Sequence, residues 1–172
     1  MKSINVYGLG YIGLPTAALL ANKGYSVLGI DISNNIVDSV NKGKVHIVEP
    51  HLQELVKNAV SSKKLKASVT PEGANIHMIA VPTPFKNNYE PDLKYVFSAT
   101  KTICSVLKNN DLIILESTSP VGTTEKVLNL IKKTLPHIEN IYLAYSPERV
   151  IPGKVIQELT ENDRIIGGVN NE

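Results

Sequence analysis

Ile4-Asn5-Val6-Tyr7-Gly8-Leu9-Gly10-Tyr11-Ile12-Gly13 is an apolar run that breaks into G-x-G-x-x-G close to the start of the chain. Ile4 to Tyr7 reads as a buried strand, and Leu14 to Ala21 continues as a helix rich in Ala and Leu. A second strand, Ser26 to Ile30, ends in Asp31, 18 residues after Gly13. That is close to the spacing at which an acidic residue meets the ribose of a dinucleotide. In this reading Gly8 makes the tight turn off the strand, Gly10 lets the backbone approach a pyrophosphate, and Gly13 lets the helix pack closely on the sheet. The phosphates then rest on free N–H groups at the positive end of the helix dipole. A carboxylate at Asp31 accepts hydrogen bonds from a ribose 2′-OH and repels a 2′-phosphate. Ile32-Ser33-Asn34-Asn35 supplies no Arg to hold such a phosphate, so the expected cofactor is NAD rather than NADP.

A length of 172 residues suits one domain spanning 1-172. The formal charge of +2 and the lack of a basic tract argue against nucleic acid or an acidic membrane surface as partner. No apolar run approaches membrane-spanning length, and the first residues lack the pattern of a secretory signal, so a cytoplasmic location is expected. The single cysteine, Cys104, excludes an internal disulfide. It falls in a helical pattern with Val96, Phe97, Thr100, Ile103 and Leu107, which predicts a packed, inert thiol. His46, His51, His77 and His137 are scattered, without the i, i+3 or i, i+4 pairing of a metal site.

Further along, Ser33 to Asn41 reads as a short helix with a capping Ser, followed by a less regular stretch, Lys44 to Pro50. A helix from about His51 and a strand over Leu65 to Val69 complete β-α-β-α-β, one mononucleotide-binding half. The second half opens with Ile76 to Val81, nearly all apolar, as expected of a parallel strand covered on both faces. Pro82-Thr83-Pro84 stops it. Asp92 caps a helix to about Lys108, Leu112 to Leu115 is a strand, and Gly122-Thr123-Thr124-Glu125 starts a helix to about Leu135. There the hydroxyls of Thr123 and Thr124 serve as caps, as ligand contacts, or as both. Ile141 to Ala144 is the sixth strand, Lys154 to Leu159 a shorter helix, and Arg164 to Gly168 a final strand. The fold expected is an α/β doubly wound, mainly parallel sheet (Rossmann fold), strand order 3-2-1-4-5-6 with an extra C-terminal strand. Right-handed crossovers then bring Pro82-Thr83-Pro84, Glu116-Ser117-Thr118 and Ser146-Pro147-Glu148 to the edge that carries the glycine loop. Glu116 and Glu148 are the candidate acid/base groups there, against the alternatives of solvated or cap-partner carboxylates.

Taken together, Gly8 to Pro15, Asp31, Val81-Pro82-Thr83-Pro84, Glu116 to Thr124 and Ser146 to Gly153 resemble the N-terminal domain of the UDP-glucose/GDP-mannose dehydrogenase family. The form Pro147-Glu148-Arg149-Val150-Ile151-Pro152-Gly153, followed by Asn162 to Gly168, is most similar to the branch that oxidises UDP-N-acetyl-mannosamine. The resemblance implies oxidation of a nucleotide sugar at C6 to its uronic acid, with two hydrides passed to two NAD molecules. It assigns Gly8, Gly10, Tyr11, Ile12, Gly13 and Asp31 to NAD, with Pro82, Thr83 and Thr118 near its nicotinamide half. It gives Glu148, with Thr118, the handling of water, and the backbone of Arg149, Val150, Pro152 and Gly153 contact with the UDP-sugar substrate.

The same resemblance implies a Cys nucleophile, a Lys and an Asn in central and C-terminal regions beyond the NAD domain. Cys104, on a helix packed against the sheet, is misplaced to reach a sugar C6. The expectation is a chain that binds NAD and cannot complete the oxidation alone, with a complementing C-terminal fragment as a partner. Two other readings stay open: a stand-alone NAD-binding module without catalysis, and a hydroxyacid dehydrogenase of the 6-phosphogluconate type, disfavoured by the Glu116–Thr124 and Ser146–Gly153 patterns.

Overall fold

The computed structural model describes residues 2–169. Its centre is a sheet of strands β1 (Ser3–Tyr7), β2 (Ser26–Ile30), β3 (Leu65–Ser68), β4 (Ile76–Ile79), β5 (Leu112–Leu115), β6 (Tyr142–Tyr145) and β7 (Gly167–Gly168). They lie in the order β3-β2-β1-β4-β5-β6-β7. The first six are parallel; β7 pairs antiparallel with β6 through Ala144↔Gly168 and Tyr145↔Gly167. This is the doubly wound order expected, with the extra strand at the edge.

Helices cover both faces, which is why the central strands are mostly apolar rather than alternating, while β3 at the edge keeps Lys66 exposed. On one face α1 (Gly13–Asn22), α2 (Asn34–Asn41) and α3 (Leu52–Ser61) enclose a core that includes Val6, Leu9, Leu14, Val40, Leu52 and Val56. On the other, α4 (Lys94–Cys104) and α5 (Thr123–Thr134) enclose Ile79, Ile103, Ile113, Leu115, Val127 and Ile131. A short helix, α6 (Val155–Glu161), reaches back to α1. Among the described residues, no helix is long and apolar enough to cross a membrane.

Several local expectations are corrected. The last strand holds only Gly167–Gly168, because Arg164 has turned inward to two carboxylates instead of joining the ladder. The helix expected over Asp92 to Lys108 is confined to Lys94–Cys104. Asp92 does serve its start, accepting the Lys94 N–H at 3.1 Å. Ser33 holds the N-cap position of α2 without a capping hydroxyl bond; its N–H bonds to Asp31 Oδ1 instead. Neither Thr123 nor Thr124 caps α5: Thr123 donates to the Pro120 carbonyl at 2.7 Å and Thr124 to Glu125, while Gly122 turns the chain at φ 83°. Cys104 is buried as expected, and burial pushes its thiol pKa up.

Candidate functional site

The carboxyl ends of β1, β4, β5 and β6 share one edge, and the glycine loop lies across it. Gly8 sits at φ +90°, and a Cβ there would come 2.7 Å from the Ala80 carbonyl oxygen. A Cβ on Gly13 would lie 1.8 Å from the Gly8 carbonyl oxygen, so α1 starts closer to the loop than any other residue permits. Gly10, by contrast, faces open space. The loop is therefore tight on its protein side and open on the other, as a backbone cradle for a phosphate group requires.

Asp31 is half-buried at the end of β2, and its carboxylate is already structural. Oδ2 accepts the Leu9 N–H at 2.9 Å and Oδ1 the Ser33 N–H at 2.9 Å. The same side chain lines a cleft of about 720 Å³ with Gly8, Gly10, Tyr11, Ile12, Val81, Pro82 and Pro84. Ile32, Ile36 and Val69 form an apolar wall, and among the described residues no Lys or Arg lines the cleft. Thr83 is half-buried between the two prolines and does not line it. Tyr95, Ser98 and Thr102 of α4 do. Sequence reasoning missed these three, although their i, i+3, i+7 spacing marks one face of a helix.

The strand ends beyond β4 are tied to one another. Ser117 donates to the carbonyls of Val81 (2.7 Å) and Ile79 (3.2 Å), locking the end of β5 to that of β4. Tyr145 on β6 accepts the Ser119 N–H at 3.1 Å and donates to the Ser119 carbonyl. Thr118 stands between them, exposed, beside a second cleft of about 430 Å³ lined by Ser119 to Glu125, Tyr145 and Gly167 to Val169.

Neither candidate carboxylate is the solvated or cap-partner side chain that the sequence left as an alternative. Glu116 is 1% exposed, neither solvated nor a cap partner. Burial, then the neighbouring Glu148, push its pKa up to about 7 against the pull of Arg164. Glu148 keeps only 7% side-chain exposure and pairs with Arg164; burial raises its pKa, opposed by Arg164 and Arg149. Thr118 shares no hydrogen bond with Glu148 among the described residues. Arg149, Val150, Pro152 and Gly153 form the loop after β6 and line neither cleft. That loop is braced: Arg149 donates to the Asp163 carbonyl, Ile151 N–H to Glu158, and Gly153 N–H to Glu49.

Comparison with known proteins agrees with this geometry. Residues 2–172 match the model of the UDP-glucose/GDP-mannose dehydrogenase family, NAD binding domain. The chain is 53% identical to a UDP-N-acetyl-D-mannosamine dehydrogenase of Campylobacter jejuni, covering 99% of this chain and 44% of that protein. It is 50% identical to the enzyme of the same name from Escherichia coli K12, covering 97% and 42%. Among solved structures, a UDP-N-acetyl-mannosamine dehydrogenase from S. aureus superposes with a TM-score of 0.94 at 42% identity, covering 99% of this chain and 42% of that one. The chain thus spans less than half the length of the relatives it matches.

Proposed function

The chain belongs to the UDP-glucose/GDP-mannose dehydrogenase family, of which it forms the NAD-binding domain, and we propose that it serves the oxidation of UDP-N-acetyl-mannosamine, or a similar UDP-sugar, to its uronic acid. The names of its relatives support the sugar. The observation that carries the cofactor half is the pairing of a glycine loop closed on its protein side with an Asp31 carboxylate in a cleft that no Lys or Arg lines among the described residues.

Bound NAD supplies a hydride acceptor for the carbon being oxidised. Around it this chain's residues have separate tasks. Asp31 retains lone pairs for the ribose hydroxyls after accepting from Leu9 and Ser33. Gly8, Gly10, Tyr11, Ile12 and Gly13 present the loop backbone to the pyrophosphate, and Pro82, Thr83 and Thr118 flank the nicotinamide half. Glu148 manages water together with Thr118. The braced loop of Arg149, Val150, Pro152 and Gly153 offers backbone to the sugar. Cys104 is excluded as nucleophile by its burial beneath α5 and its raised thiol pKa. The covalent chemistry of the family therefore belongs outside residues 1–172, in the Cys, Lys and Asn of a complementing C-terminal part.

Calorimetric titration of residues 1–172 with NAD and with NADP tests the cofactor assignment. NAD is expected to bind more tightly, and Asp31→Ala to weaken it by about tenfold, the value of one charged hydrogen bond. Tighter NADP in the wild type overturns the assignment. Formation of the uronic acid by residues 1–172 alone overturns the division of labour.

A further inference from the structure

Glu116, Arg164 and Glu148 come from three separate places: the end of β5, the segment before β7, and the loop after β6. They meet at one guanidinium nitrogen. Arg164 Nη1 pairs with Glu148 Oε1 and lies 3.5 Å from Glu116 Oε1, while Arg164 Nη2 reaches the Leu159 carbonyl at 3.5 Å. The Glu116 side chain is wholly buried, and neither of its oxygens has a hydrogen-bond partner among the described residues. The buried Thr16 hydroxyl of α1, which faces Glu116, is also unpaired. Arg149 adds a second, more distant cation on the Glu148 side.

Two carboxylates share one close cation, and of the three only Glu116 is wholly cut off from water. With both ionised, the cluster would hold an uncompensated buried charge, which is far more costly than a neutral acid. A proton on the wholly buried Glu116 relieves this, and the neutral acid gains an O–H that can donate to the unpaired Thr16 hydroxyl beside it. Arg164 is then free to hold an ionised Glu148 alone.

We infer that Arg164 and Glu116 are positioning residues for Glu148, Arg164 fixing its carboxylate at the cofactor edge and a neutral Glu116 holding Arg164 in place from beneath. The inference rests on the role proposed above for Glu148. The arrangement orders the ionisations: Glu148 loses its proton first, while Glu116 is still neutral. The charge on Glu148 is therefore already present when Glu116 ionises, whereas Glu148 ionises beside a neutral Glu116.

That asymmetry is what the experiment reads. Side-chain carboxyl carbons of residues 1–172 are followed by NMR through a pH titration. The wild type is compared with Glu116→Gln, Glu148→Gln, Arg164→Met and Arg164→Lys, and each amide spectrum reports whether the variant is folded. Glu148→Gln is expected to lower the Glu116 midpoint by about one pH unit, through loss of a neighbouring charge. Glu116→Gln, which imitates the neutral acid, leaves the Glu148 midpoint in place. Arg164→Met raises both midpoints by about one pH unit, and Arg164→Lys restores them in part, since an ammonium supplies charge without the planar fork. A Glu116 midpoint that does not respond to Glu148→Gln, or a Glu148 midpoint that falls in Glu116→Gln, overturns the inference. The NAD titration above is independent of this measurement, so coupling without NAD binding would sink the functional reading and leave the cluster standing.

Discussion

A carboxylate offers about four lone-pair directions, and in Asp31 two are spent on the Leu9 and Ser33 amides. Its loss therefore loosens the glycine loop as well as the ribose contact. The loop is also held from below. Leu9 is fully buried, and its methyls lie over Gly29 in β2, where a Cβ would come 2.6 Å from Leu9 Cδ2. Gly29 was not among the residues that sequence reasoning singled out, because a glycine within a strand carries no motif; its reason is a neighbour 20 positions earlier. The obstacle at Gly29 is the flexible end of a side chain, whereas at Gly13 it is the backbone oxygen of Gly8. Gly29→Ala should therefore cost about 1–3 kcal/mol by overpacking, and the cost should depend on Leu9. In a Leu9→Ala background, itself destabilised by about 2–5 kcal/mol, the added methyl enters the space vacated and Gly29→Ala becomes neutral or stabilising. Denaturant unfolding of the four proteins of this cycle gives the coupling. An equal cost in both backgrounds would show that the Leu9 contact is not the reason for the glycine.

At the scale of elements, α6 and the loop before it owe their placement to a side chain more than 100 residues away. Glu49 is buried in the irregular stretch between α2 and α3; its Oε2 accepts the Gly153 N–H and its Oε1 the Val155 N–H, both at 2.8 Å. One carboxylate thus serves the turn at Gly153, where φ is +89°, and the first residue of α6. A charged acceptor suits the positive end of a helix. Glu49→Ala leaves two amides without their acceptor and should destabilise the chain by about 1–3 kcal/mol, with faster hydrogen exchange at Gly153 and Val155. Glu49→Gln keeps a single acceptor oxygen and should fall between Ala and wild type. Unchanged exchange at both amides in Glu49→Ala would show that the loop holds itself. Lys44 to Pro50 reads correctly from sequence as irregular, but nothing local reveals Glu49's task, because its partners are distant in the chain. The elements themselves were legible: parallel strands buried on both faces leave nearly continuous apolar runs such as Ile76 to Val81, broken only by His77, and Pro82-Thr83-Pro84 marks where one ends. Capping failed as a local rule at Ser33, whose hydroxyl makes no cap bond, and at Thr123, whose hydroxyl donates to the Pro120 carbonyl instead.

In the molecule as a whole, the glycine loop and Asp31 are local in sequence and legible there, whereas the Glu116–Arg164–Glu148 cluster forms only when three segments fold together. Its burial should therefore register in the stability of the entire domain. Glu116 has a pKa of about 7 in the folded chain against an ordinary 4.5, so between these values the folded state binds a proton that the unfolded state has released. Its contribution is fully present below about pH 4.5 and is lost as the pH rises through about 7. His77 acts in the opposite sense. It is fully buried between the Tyr7 hydroxyl, 3.0 Å from Nδ1, and Asp111, 3.7 Å from Nε2, and burial lowers its pKa from 6.5 despite that carboxylate. The stability it contributes is present above pH 6.5 and lost as the pH falls below it. The two contributions oppose each other across the weakly acidic range, so the wild-type profile alone does not separate them. Glu116→Gln does, because glutamine imitates the neutral acid and cannot ionise. Near pH 5 the variant should match the wild type to within about 1 kcal/mol, and by about pH 8 it should be the more stable, by an amount on the order of 3 kcal/mol. Urea unfolding of both proteins across that range measures the difference directly. A gap that does not grow with pH would mean that Glu116 is no more costly to ionise in the folded chain than in water.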